Sequence, residues 1–491
     1  MVAQPLQKNH SLDIYEKEKS SPFKWTSVSL GEVAENAYRL EASVYGIDSR
    51  HARMTLDACK WPIVNFGITF IRNAFYLGRF KRIYVDKKNG VPFILPSQIT
   101  EVHPKADKYI SPSTNVDIEN TKVKKGQVLL TRSGTIGVVS YVSETLNNKS
   151  LSDDVIRIET KEYSGYVYAY LKSRIGRLLI ETNNYGAVIS HIEPEHLNNL
   201  PIPNPSPILK QQIHSLIEES FKLRDASNEL MDKAQSLLKD ALQLPDIETL
   251  ELKTKQFDKN AGVLNYSVSL SALDSRLDAS YHMPIVKTIE EHLKKTAKEI
   301  TTIADRRISK EVILPGRFKR IYVEEGNGIV FFSGRSISEL DPSDKKYLSF
   351  SQHDQKIKNE LTIREGMILI TCSGTVGKTA FVPSHWDGWA MTHDIIRLVP
   401  ANNEISGYLF AWLSSDYAQS LITRFIYGAV VGHIEREHLL KVNVPLFDDA
   451  GIQKEINDKV LEANKKRTEA YNLEQQAFAI LNEQVIYAQK K

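Results

Sequence analysis

Cysteine is scarce: Cys59 and Cys372 are the only two in 491 residues. Two thiols exclude a disulfide framework and cannot make a zinc site by themselves, and such sparing use fits a reducing compartment. No run of about 18 apolar residues occurs, which excludes a conventional membrane-spanning helix. The opening MVAQPLQKNHSLDIYEKEKSS lacks the apolar centre of a secretory leader, so residues 1–22 are expected to be a polar tail and the protein cytoplasmic. An excess of one charge is also missing. With 63 Lys and Arg against 60 Asp and Glu, the net charge is +3, so contact with a polyanion must come from local basic patches.

Catalytic signatures are as sparse. No [DNS]-P-P-[YFW] tetrad occurs; NPSP at Asn204 and DPSD at Asp341 lack the aromatic residue that would stack on a flipped base. No glycine-rich loop opens a βαβ unit. SGTVGKT, ending at Thr379, invites comparison with a phosphate-binding P-loop, but that pattern needs glycine where Cys372 stands. The stretch PDIETLELK after Pro245 superficially resembles a nuclease PD…ExK. Its carboxylates are too close in sequence for a strand pair, and it reads as a solvated linker.

What the chain does have is a repeat. The octamer GRFKRIYV begins at Gly78 and again at Gly316, 238 positions apart. SVSL at Ser27 recurs at Ser267, and RLEAS at Arg39 recurs as RLDAS at Arg276. KKGQVLLTRSGTIG (124–137) matches REGMILITCSGTVG (364–377), DVIRI matches DIIRL, and YGAVISHIEPEHL matches YGAVVGHIEREHL. Each half is therefore one module of roughly 180 residues, and two copies are too few for a solenoid.

A helical segment follows each module. Between Pro207 and Leu244 there is no glycine and no internal proline, and Leu216, Ser220, Leu223, Ser227, Leu230, Ala234 and Leu237 step alternately by four and three, a heptad seam. Pro245 stops it. A rougher stripe after Ile452 carries Ile456, Val460, Leu473 and Ile480. Laying one helix against the other buries both stripes. The expected organisation is a polar tail (1–22), module one (23–206), a central helix (207–245), a linker (246–264), module two (265–447) and a C-terminal helix (448–491). The fold class is α+β: two pseudo-twofold-related modules joined by two long antiparallel coiled-coil helices. Such a pair would present the octamer twice to one partner, and DNA, itself twofold in its backbones, is the obvious candidate.

Within a module the segments FKRIYV, VPFILP, GQVLLTRSG, IGVVSYV and VIRIET read as short strands, and residues 165–182 as a helix. As a strand the octamer puts Arg79, Lys81 and Ile83 on one face and Phe80, Arg82 and Tyr84 on the other. Its cations, with Arg317, Lys319 and Arg320 in the second copy, either neutralise phosphates or guard a solvated edge. The S-G-T-[IV]-G turn, with Arg132, Ser133 and Thr135 in one copy and Ser373, Thr375 and Lys378 in the other, offers hydroxyls and N–H groups to a phosphate oxygen or is a plain hairpin turn. Tyr185 and Tyr427, each beside a glycine, either approach DNA or pack. The histidines of HIExEH (His191 and His196, His433 and His438) are five apart, which does not stack them on one helical face, so a structural turn is expected rather than a metal site.

Two divergent modules, each ending in a Leu-rich run into proline (LNNLPIP to Pro203, LLKVNVP to Pro445) before a long helix with Gln211 and Gln212 or Gln453, resemble the specificity subunit of type I restriction–modification systems. The [RK]-x-G-x-[IVL]-L-[IL]-[TS]-x-x-G-T-[IV]-G blocks at 124–137 and 364–377 are similar to those of its target recognition domains, and the resemblance covers roughly residues 25–490. It implies a noncatalytic scaffold that reads a split, asymmetric double-stranded DNA target with one half-site per module. It further implies docking of two adenine-N6 methyltransferase subunits, and of restriction motor subunits where present. The chain itself would bind no cofactor or metal, since S-adenosylmethionine and ATP belong to the partners, and no membrane is involved. Alternatives are the recognition subunit of a type IIB or other methylation-based phage-defence system, a metal-dependent DNA enzyme built on HIExEH, and a coiled-coil scaffold that never touches DNA. If the modules read different half-sites, the shared octamer cannot specify bases. Base reading then belongs where the halves differ: 46–77 against 283–315, 86–123 against 324–363, and 143–151 against 383–391.

Overall fold

The computed structural model describes residues 27–35, 38, 40, 45–182, 191–254, 256–258, 263–447 and 449–490. The chain divides into two compact units. The first holds residues up to 100, 104–222 and 472–491, and the second holds 101–103 and 223–471.

The first unit is built on a four-stranded antiparallel sheet in the order Ile71–Phe75, Val155–Thr160, Val128–Thr131, Val139–Tyr141. Its central strands are apolar on both faces because both faces are covered. Val128, Leu130, Ile156 and Ile158 point into a core with the helix Ser164–Lys172. The alternate residues Leu129 and Val155 point into a second core with Ile94, Val123 and Leu151, which a smaller sheet of Lys108–Ile110, Val91–Ile94 and Ser150–Leu151 helps to close. The second unit repeats this with Ser309–Ile313, Ile395–Pro400, Ile368–Thr371 and Thr379–Phe381, and with a smaller sheet that gains the short strand Tyr322–Val323. The repetition extends to register. Leu129 faces Arg157 as Leu369 faces Arg397, and a bulge falls between Ile71 and Asn73 as it does between Ser309 and Glu311. The α+β class expected from the sequence is what the structure has.

Three expectations need correction. The octamer is not a strand: residues 77–83 and 315–321 run as extended coil, and pairing begins only at the isolated bridge of Tyr84 with Ile110 and at the strand Tyr322–Val323. Residues 165–182 form two helices, Ser164–Lys172 and Arg174–Thr182, because the Ser173 hydroxyl accepts from Gly176 N at 3.1 Å and so starts a second helix. Ser415 does the same for Ala418 in the second unit. Finally, the segment read as a linker carries the helix Ile247–Thr254, whose Leu250 joins the second unit's core.

The central helix spans Pro207–Ala241 and the terminal one Ala450–Ile480, followed by a wider turn Leu481–Ile486. At 1.5 Å per residue the 35-residue central helix is about 52 Å long. In the first unit Ile213, Ile217 and Phe221 share a core with Ala477, Leu481 and Val485. In the second, Met231, Ala234 and Leu238 share one with Ile456, Val460 and Ala463, and Arg467 donates to Ser227 Oγ at 2.9 Å. This reversed order of contacts is that of antiparallel helices. The buried stripe is offset from the expected heptad: Leu216, Leu223, Leu230 and Leu237, and likewise Leu473 and Ile480, are only half-buried. Ile456 and Val460 are fully buried, as expected. The reason is that each helix also closes the core of a module, so its apolar surface is wider than a two-helix seam. The module helix meets the following long helix closely enough to demand glycine. A Cβ on Gly165 would lie 2.7 Å from the His214 carbonyl oxygen, and one on Gly407 2.5 Å from that of Asn457.

Candidate functional site

The octamer leaves the first strand of each large sheet and alternates in exposure as a strand would, without strand partners. Phe80 and Arg82 turn inward, while Arg79, Lys81 and Ile83 turn outward. The Phe80 ring meets Phe93 edge-on at 6.2 Å. Arg82 lies 5.7 Å from the Phe93 ring centre, pairs with Asp153 and reaches Ser152 Oγ at 3.2 Å. In the second unit Arg320 lies over Phe331 at 5.6 Å and donates to Thr392 Oγ1 at 2.9 Å and His393 Nδ1 at 3.2 Å. This arginine therefore latches the octamer to the turn before the strand DVIRI or DIIRL. Arg79, Lys81, Arg317 and Lys319 are exposed and make no ion pair among the described residues. Beside them an exposed tyrosine carries a lysine over its ring: Lys108 on Tyr84 at 5.8 Å, and Lys346 on Tyr322 at 4.8 Å. Cations with free charge next to exposed rings suit phosphates and sugars.

The S-G-T-[IV]-G segment is a hairpin tip joining two strands of the large sheet. Thr131 Oγ1 donates to the Thr135 carbonyl at 2.5 Å and accepts from Val138 N at 3.0 Å; Thr371 repeats both contacts with Thr375 and Lys378. Gly134 and Gly374 sit at φ +73°, where a side chain would be strained. Thr135 and Thr375 are exposed at the tip. Ser133 Oγ donates to Asp154 at 2.9 Å, and Ser373 bridges to His433. Lys378 is exposed with its ammonium 3.8 Å from Glu101. Arg132 is buried, 2.5 Å from Glu193 and stacked 3.9 Å over Tyr76. The sequence comparison thus brings Arg82, Asp154, Ser133 and Arg132 into one network and leaves Arg79 and Lys81 outside it.

HIExEH is a capped turn. Glu193 precedes the helix Pro194–Asn198, and its N–H donates to His196 Nδ1 at 3.1 Å; Glu435 and His438 repeat the contact at 3.0 Å. No cluster of metal-binding side chains is found among the described residues. Tyr427 is exposed and its hydroxyl donates to Glu435. Tyr185 lies outside the described residues.

Sequence reasoning missed two buried arginines. Arg157 donates to the carbonyls of Asn120 and Thr121 at 2.9 Å and of Leu151 at 3.2 Å. Arg397 donates to those of Ile395 and Met391 at 2.7 Å, Leu361 at 3.2 Å and Thr392 at 3.3 Å. Burial pulls their acidity constants down to about 10 and about 9. These guanidiniums tie the large sheet to the smaller one, which fixes the platform the octamer crosses. The signal was present: a charge in the middle of DVIRI and DIIRL has to be satisfied where it is buried.

A family model described as the type I restriction modification DNA specificity domain matches the chain twice, over residues 79–231 and 294–471. These matches span well over half of the sequence, and the chain belongs to that family. It is a type I restriction–modification specificity subunit, with one match to each module. Among solved structures it is similar to the S subunit of a type I restriction–modification system from M. genitalium, at 13% identity and a TM-score of 0.30, covering 88% of this chain and 97% of that one. It is also similar to the HsdS subunit from Thermoanaerobacter tengcongensis, at 14% identity and a TM-score of 0.26, covering 87% and 97%. A third similar chain comes from a structure of type I R-M complex assembly and conformational transition, at 14% identity and a TM-score of 0.26, covering 86% and 97%. No curated protein matches the chain. No described helix is long and apolar enough to cross a membrane.

Proposed function

We propose that each module reads one half of a bipartite, asymmetric DNA target, and that the chain holds two adenine-N6 methyltransferase subunits, with restriction motor subunits where present, on that target in the cytoplasm. The observation that carries this reading is the contrast inside the repeat. The sheets agree to the residue in register and bulge, while the segments that leave them differ in length and charge. Residues 86–89 read DKKN where 324–327 read EEGN. A shared framework with divergent loops suits two sites that recognise the same polymer but different letters of it.

Arg79, Lys81, Arg317 and Lys319 then contact phosphates and set affinity and register, with Thr135 and Thr375 as neutral donors. Arg82, Arg132 and Arg320 hold the platform in shape rather than touching DNA, since their guanidiniums are engaged internally. The chain performs no chemistry in this reading. S-adenosylmethionine and ATP are bound by the partners, and the histidines of HIExEH serve as helix caps. Hydroxyl-radical footprinting of the complex with its methyltransferase subunits tests the reading: two protected patches separated by an unprotected gap are expected, and one continuous patch would refute the bipartite part.

A further inference from the structure

Ahead of each module the chain makes a turn that holds leucines out in water. In the second unit SVSLSALDSRLDASYH forms a tight knuckle over residues 267–282. Arg276 grips Asp278 through two nitrogens at 2.8 and 2.7 Å. The Tyr281 ring lies between Arg276, 4.6 Å away, and Arg424, 4.3 Å away, and its hydroxyl donates to Asp274. His282 Nε2 meets the Arg276 carbonyl at 2.7 Å. These contacts hold Asp274 and Ser275 at φ +47° and +59°, left-handed conformations that side chains disfavour. The result is to expose apolar side chains: Leu270 and Leu277 are each 86% exposed.

The first unit repeats the feature. Tyr38, at the position of Ser275, has φ +59°, the same as its counterpart. Leu30 and Leu40, at the positions of Leu270 and Leu277, are 79% and 81% exposed. A strained turn that presents the same two leucines in both copies is not accounted for by packing within either unit.

Charge indicates the kind of occupant. The cations of the knuckle are matched internally, Arg276 by Asp278 and Arg424 by Glu290 at 3.0 Å, which leaves apolar side chains and no free positive charge. The octamer, whose cations are free, is the opposite kind of surface. Arg276 also donates to the Ile426 carbonyl at 3.4 Å, and Tyr281 packs on Phe425 with ring centres 5.8 Å apart. These contacts tie the knuckle to the loop in which Val430 is 97% exposed. A neutral apolar surface complements an apolar groove on a protein, not a polyanion.

We propose that Leu30 and Leu40 in the first unit, and Leu270 and Leu277 in the second, each seat one methyltransferase subunit in an apolar groove of that subunit. This rests on the two-subunit reading above. The same letters occur twice because the same partner binds twice, whereas the base-reading loops diverge because the half-sites differ.

The test is native mass spectrometry of the full chain co-expressed with its methyltransferase subunit. Wild type, Leu277→Asp, Leu40→Asp, the double variant and the conservative Leu277→Met are compared, with DNA binding measured in parallel. A mostly exposed leucine can be replaced without disturbing the core, and an unchanged unfolding curve confirms the fold. Two methyltransferase subunits per wild-type chain, one per single aspartate variant, none on the double variant and two on Leu277→Met is the expected pattern. Two subunits on the double variant would overturn the knuckle as the seat while leaving the two-subunit reading standing, and would do so equally if DNA affinity fell instead. No subunit on the wild type would overturn both.

Discussion

Where the first unit carries Arg132, the second carries Cys372, and the surroundings have changed with it. In the first, Glu193 is neutralised by Arg132, which stacks on Tyr76. In the second, Leu314 stands where Tyr76 does, and Glu435 accepts from the Tyr427 hydroxyl instead. Burial, with Asp394 and Glu435 nearby, pushes the Cys372 thiol up to about 12, so it stays protonated and inert. The cap geometry of Glu193 and Glu435 is the same in both units. Two solutions to one buried carboxylate show that selection for a fixed backbone tolerates different side-chain chemistry, provided each polar group is satisfied. Arg157 and Arg397 mark the opposite limit, since the same residue makes the same kind of carbonyl clamp in both units.

The largest expected effect breaks that sameness. Arg397→Ala orphans four carbonyls in a dry core and should cost about 3–5 kcal/mol in chemical unfolding, with Arg157→Ala matching it within about 1 kcal/mol. A silent Arg157→Ala would show that the two clamps are not equivalent. Next comes the free charge of the octamer. Reversing Arg79, Lys81, Arg317 and Lys319 together should weaken DNA binding of the complex by roughly 100-fold at physiological salt and flatten the log–log salt slope by about 3–4, with the recognised sequence unchanged. A changed recognition sequence would contradict the phosphate role.

A pH effect belongs to the second unit alone. His385, where the first unit has Thr145, is stacked 4.2 Å from Tyr471 and meets the Leu340 carbonyl at 2.9 Å. Burial pulls its acidity constant down to about 4. The folded state therefore binds this proton less readily than the unfolded chain. Stability is full above the ordinary histidine value and is lost as pH falls from about 6.5 toward 4, by about 2 kcal/mol between pH 7 and 5. Unfolding curves of His385→Asn should lack that part of the pH dependence; an unchanged profile would place the titration elsewhere. The smallest effect sharpens the first comparison. Glu193→Ala, which strands buried Arg132, should cost about 1–2 kcal/mol, against less than about 1 for Glu435→Ala, which loses one bond to an exposed tyrosine. Differential scanning calorimetry would resolve the two.

The repeat made the architecture legible, because identical letters at a near-constant spacing report a copied framework whatever its fold. Face assignments also survived: Arg79 and Lys81 turn outward as the alternation implied. What the letters hid was what depends on partners distant in sequence. The octamer has the composition of a strand, but a strand needs a neighbour, and its inward groups are spent instead on Phe93 and on the turn at residues 152–154. Leu216 and Leu223 fit a heptad, yet the helix is shared with a module core, which moves the buried stripe onto Ile213, Ile217 and Phe221. The network around Arg82 was invisible because Asp153 and Asp154 lie 71 and 72 positions away. The exposed leucines of the knuckle were in the repeat from the start, and only their exposure separates a docking surface from a core.

The most direct test of the central claim is single-molecule methylome sequencing of cells that carry this chain with its methyltransferase subunit, against cells lacking only this chain. The account predicts a split motif with a fixed gap, methylated on adenine in both halves and lost with the chain. A methylome that does not change when the chain is removed, or a continuous motif, would contradict it.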